Sequence, residues 1–100
     1  MLPPLADDPR FAEALRHFDA GDWLEASDLF EELYFEAVRD EVAIVRALLQ
    51  ISTGMHHLSR GQRRAAGERL EEGMRVEVVV SFGVDLHKVH EIARAALRRL

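Results

Sequence analysis

The chain is predicted to be all-α, a single-domain bundle over residues 1–100 of about five helices built from two helical hairpins plus a C-terminal helix. Two observations carry that expectation. The first is a pair of similar segments, HFDAGDWLEASDLFEEL from His17 to Leu33 and HLSRGQRRAAGERLEEG from His57 to Gly73. In each, an amphipathic helix arrives at a glycine (Gly21, Gly61), a polar residue follows (Asp22, Gln62), and a second helix carries paired glutamates (Glu31 and Glu32, Glu71 and Glu72). The second is apolar residues recurring at three- and four-residue steps through most of the chain, the period of a helix with one buried face.

The elements follow in order. Asp8-Pro9 predicts a helix start, with Asp as N-cap and Pro in the first turn, where its missing N–H is not needed. Phe11, Leu15 and Phe18 share a face, and Gly21 ends the helix. Asp22 with Glu25 three residues on predicts a capping box for the second helix, whose stripe is Trp23, Ala26, Phe30 and Leu33, widened by Tyr34. A third helix over Glu41 to Ser59 has Ile44, Leu48, Ile51, Met55 and Leu58 on one stripe and Val45, Leu49 and Ser52 on another. Contact on two sides is implied, so this helix is expected at the centre. The fourth presents Ala66, Leu70 and Met74 inward, and small Ala65, Ala66 and Gly67 permit close approach. Val76 to Phe82 admits two readings, an extended segment or a continuation of the fourth helix; its β-branched density and Gly73 before it favour the extended one. Asp85 caps the last helix, with Leu86, Val89, Ala93, Ala96 and Leu100 on its buried face.

Composition narrows the function classes. One hundred residues without cysteine allow one modest core and neither disulfides nor thiolate metal sites. There is no apolar run of about 18 residues and no leader-like N-terminus, so no membrane partner is expected and a cytoplasmic location is the default. A net charge of −5 works against a nucleic-acid partner, which draws affinity from Lys and Arg on phosphates. Arg60, Arg63 and Arg64 at a helix corner and Arg94, Arg98 and Arg99 near the C-terminus read as solvated faces.

The first segment resembles the junction between the two helices of a tetratricopeptide repeat, although a full repeat is absent. The chain as a whole resembles the bacterial and archaeal family called domain of unknown function 309. The residues carrying that resemblance are Trp23 to Tyr34, Ala47-Leu48-Leu49-Gln50, His57-Leu58-Ser59-Arg60-Gly61-Gln62, and Phe82-Gly83-Val84-Asp85. Glu25, Ala26 and Glu31 match the family pattern, whereas Ser27, Asp28 and Tyr34 stand where the family has His, Glu and Trp. The resemblance implies a small helical bundle and no established activity, and it singles out a polar cluster of Glu25, Ser27, Asp28, Glu31, Tyr34, Gln50 and His57.

In the family, the His and Glu positions would make a metal or acid–base cluster; here Ser27 supplies neither a base nor a usual metal donor. Gln50 stands in the densest apolar stretch and is expected to be buried and hydrogen-bonded to the second helix, in a network with Glu31 or Tyr34, Glu31 being the expected partner. His17, His56 and His57, and the pair His87 and His90, do not form a ligand set; His90-Glu91 begins a zinc-protease pattern, but Arg94 stands where the second His belongs. No catalytic, cofactor or metal site is expected. The sequence favours a non-catalytic bundle acting on a protein partner or as a homo-oligomer, with the groove between the hairpins as its surface. The alternative is a metal-dependent or acid–base enzyme with its site around Asp28, Glu31, Gln50 and His57.

Overall fold

The computed structural model describes residues 2–100 and shows, among them, a 3-10 turn (Leu5–Asp7) and five helices: α1 (Pro9–Ala20), α2 (Trp23–Glu36), α3 (Glu41–Ser59), α4 (Arg63–Arg75) and α5 (Leu86–Arg98), with no strand. The two hairpins are α1–α2 and α3–α4; α2 packs on α3, and α5 lies against α3 and α4. As its double stripe predicts, α3 is central. Ile44, Val45, Ala47, Leu48, Ile51 and Ser52 are wholly buried, and Ser52 Oγ donates to Leu48 O at 2.7 Å, so its hydroxyl is satisfied within its own helix.

The forty-residue repeat holds at the hairpin turns. Gly21 and Gly61 take left-handed backbone angles (φ 79° and 74°), which glycine adopts without a Cβ penalty. Asp22 N donates to His17 O, and Gln62 N to His57 O, both at 2.9 Å, while Gly21 N and Gly61 N reach Phe18 O and Leu58 O. This paired bonding is a Schellman termination, and it leads in each case straight into the next helix. The side chains repeat the pattern: His17 Nδ1 donates to Asp22 Oδ2 at 3.1 Å, and His57 Nδ1 to Gln62 Oε1 at 2.6 Å. Asp22 therefore makes no side-chain cap on α2, contrary to the predicted capping box, because His17 five residues back holds its carboxylate.

The hairpins are filled differently. Between α1 and α2, the Phe18 ring meets Trp23 edge-on with centroids 5.2 Å apart and Phe30 at 6.4 Å. Between α3 and α4, glycines bring backbones together. A Cβ on Gly54 would lie 2.8 Å from Leu70 Cγ, and one on Gly73 would lie 2.6 Å from Ile51 Cγ1 and 3.2 Å from Ala47 O. Gly73 is thus inside α4 and buried, not a helix breaker, and it faces α3, whereas a Cβ on Gly67 would meet only Leu100.

The segment from 76 to 82 is neither helix nor strand: Val76 leaves α4 extended (φ −65°, ψ 123°), the chain bends at Val79, and Phe82 turns it with a left-handed φ of 51°. Topology requires it. α5 begins beside the end of α1, where Lys88 Nζ stands 3.6 Å from Asp19 Oδ1, and ends beside the start of α4, where Arg63 Nη2 donates to Arg99 O at 3.1 Å. It therefore crosses the two hairpin turns, and the chain leaving α4 must return along that helix's length of about 20 Å. A further helix of ten residues would cover only about 15 Å. Val78, Phe82 and Val84 pack on the core along the way, and Asp85 caps α5 by accepting from Lys88 N at 3.1 Å. Val89, Ala93 and Ala96 are buried as predicted, but Leu100 lies beyond the helix and is exposed; Leu97 packs on the core in its place.

Candidate functional site

The seven polar-cluster positions form no bonded network with one another among the described residues. No hydrogen bond or ion pair among the described residues joins any two of Glu25, Ser27, Asp28, Glu31, Tyr34, Gln50 and His57. Ser27 is buried, and its hydroxyl is spent on Leu24 O at 2.9 Å. Tyr34 is half-buried against the core. Glu25, Asp28 and Glu31 are exposed on the face of α2 turned away from Ala26, Phe30 and Leu33.

Gln50 corrects the sequence reading most clearly. It is half-buried, not fully buried, and its partner is Arg69, whose Nη1 donates to Gln50 Oε1 at 3.1 Å. Its Cβ lies where a side chain on Gly73 would meet it at 3.2 Å. Arg69 and Gly73 are one turn apart on α4, so Gln50 belongs to the α3–α4 interface, whereas Glu31 faces solvent on α2. His57, seven residues further along α3, serves the turn to α4 through Gln62. Among the described residues, no three His, Asp or Glu side chains stand together as a metal would need.

Three features escaped the sequence. Asp8 is buried (6% exposed) and, besides capping Arg10 N at 3.0 Å, accepts from Arg10 Nη2 at 2.7 Å. The same guanidinium is bidentate on Glu36, at 2.7 and 2.8 Å, tying the start of α1 to the end of α2. These bonds hold both carboxyls below the usual carboxylate range, for Asp8 against an opposing push from burial, and raise Arg10 through Glu36 first and Asp8 second. Only the Asp8 cap was legible, since Glu36 lies 26 residues from Arg10.

The second feature is an outward stripe on α2. Leu24, Asp28, Glu31 and Phe35 follow at four- and three-residue steps and share one face. Leu24 is 47% exposed and Phe35 81%, with Val38 at 61% just beyond. The third is a cavity of about 550 Å³ between the start of α3 and the end of α4, rimmed by Arg39, Arg46 and Arg75.

Residues 11–68 match the family described as Domain of unknown function (DUF309). The chain belongs to that family. The match covers α1, α2, α3 and the first turns of α4, so Phe82-Gly83-Val84-Asp85 and α5 lie outside it. No curated protein and no solved structure matches the chain. No helix among the described residues is long and apolar enough to cross a membrane.

Proposed function

We propose that the protein is a non-catalytic helical module of the cytoplasm that works through protein contacts, and that the outer face of α2 is the contact surface. The observation that supports this is the stripe of Leu24, Asp28, Glu31 and Phe35. A phenylalanine 81% exposed on a stable helix gains nothing from folding, and with Val38, 61% exposed just beyond it, it leaves large apolar side chains for a partner to cover. Leu24 and Phe35 stand about 16 Å apart along the helix. Between and beside them lie Glu25, Asp28, Glu31 and Glu32, all exposed acids. The partner this face fits is a protein surface with two apolar sockets separated by Lys or Arg side chains.

A photo-cross-linking amino acid placed at position 35, with the exposed Ala12 of α1 as control, tests the reading in living cells. One discrete product from position 35 alone, weakened by Asp28→Lys with Glu31→Lys, supports it. A product of twice the chain mass identifies self-association; a heteromeric one identifies a partner. Indistinguishable patterns from positions 35 and 12 would refute it.

A further inference from the structure

The cavity between α3 and α4 has a construction that the α2 face does not share. Its floor is Val42, Ala43 and Val76, all half-buried, and its rim is charged and exposed. Three guanidiniums, Arg39, Arg46 and Arg75, face two carboxylates, Glu72 and Glu77. Among the described residues Arg39 and Arg46 stand in no ion pair, and Arg75 reaches only the exposed Glu71, at 3.5 Å. Arg39 and Arg46 are thus two exposed guanidiniums at one cavity that no carboxylate holds among the described residues.

One further fact points the same way. Arg39 takes a left-handed backbone conformation, φ 52°, in the turn before α3. Glycine or asparagine would hold that turn with less strain, so an arginine there is not explained by the turn itself.

We propose that this cavity binds a small amphiphilic anion, one carboxylate or phosphate headgroup on a short hydrocarbon body. Arg39 and Arg46 take the headgroup by charge-assisted hydrogen bonds, and Val42, Ala43 and Val76 take the body. The volume lies within the range of small-molecule sites, roughly 300–1,000 Å³. Glu72 and Glu77 on the rim repel a polyanion, which sets the ligand class apart from nucleic acid and polyphosphate.

Titrating isotope-labelled protein with octanoate and octyl phosphate, followed by amide and arginine Nε–H resonances, tests this directly. Saturable shifts at Val42, Ala43, Val76 and the Arg39 and Arg46 side chains are expected with either compound. Arg46→Gln should weaken binding roughly tenfold, the equivalent of one charge-assisted bond. Arg39→Gly should weaken it as well while leaving the fold intact, because glycine suits that backbone. Equal binding of inorganic phosphate would overturn the role of the apolar floor, and equal binding of octylammonium the role of the arginines. Absent shifts, or affinity unchanged in folded Arg39→Gly and Arg46→Gln, would overturn the site.

Discussion

Replacing Gly73 and Gly67 by alanine, two changes six residues apart on one helix, should move stability in opposite directions. In a helix interior, Gly→Ala stabilises by about 1 kcal/mol through backbone entropy. At Gly67 the new methyl meets only Leu100 Cδ1, at 3.3 Å, the flexible end of an exposed terminal side chain, so a gain of about 0.5–1 kcal/mol survives. At Gly73 it would lie 2.6 Å from Ile51 Cγ1 and 3.2 Å from Ala47 O. Apolar carbons rest at roughly 3.5–4.0 Å, so the first contact overlaps by about 1 Å. Ile51 is wholly buried and Ala47 O is backbone, and neither can swing aside, so α4 must move off α3. Overpacking of that kind costs about 1–3 kcal/mol, leaving a net loss of about 0–2 kcal/mol at Gly73 after the helix gain. Urea unfolding followed by far-ultraviolet circular dichroism reads both midpoints at unchanged slope. Stabilisation by Gly73→Ala equal to that by Gly67→Ala would refute the close α3–α4 approach.

Other outcomes follow from the same geometry. Leu48→Ala or Ile51→Ala, each removing a fully buried side chain from α3, should cost about 2–5 kcal/mol in the same assay. Asp85→Ala should cost about 1 kcal/mol by removing the α5 cap, while Asp22→Ala, which removes only an exposed contact to His17, should cost less than about half of that. Glu36→Ala should lower the urea midpoint more than Glu31→Ala, because only Glu36 engages Arg10. The folded-state pKa values of Asp8 and Glu36 are lowered by Arg10, so their contribution is fully present above the unfolded carboxylate range, about pH 4, and is lost as pH falls through the lowered values. Arg10→Gln should flatten that acid limb in a series of urea midpoints against pH, and an unchanged limb would show that the network does not couple to folding.

The sequence by itself determined what depends on neighbours along the chain. The period of apolar residues marked the helices and the double face of α3, Gly21 and Gly61 marked two turns that share their bonding, and Asp8 and Asp85 marked two helix starts. Each rests on contacts within about five residues. Tertiary structure decided every matter of which helix a given side chain meets. Gln50 turned toward Arg69 and not Glu31 because α3 is surrounded, and a residue one position off the main stripe rotates by 100° onto a different neighbour. Gly73 reads locally as a breaker, yet it is helical because only a missing side chain lets α4 reach Ile51. The bidentate pairing of Arg10 with Glu36, and the meeting of Arg75 with Arg39 and Arg46 around one cavity, join residues 26 to 36 positions apart in the chain. No local period encodes such pairs; they exist only once the hairpins have packed and the distances between helices are fixed.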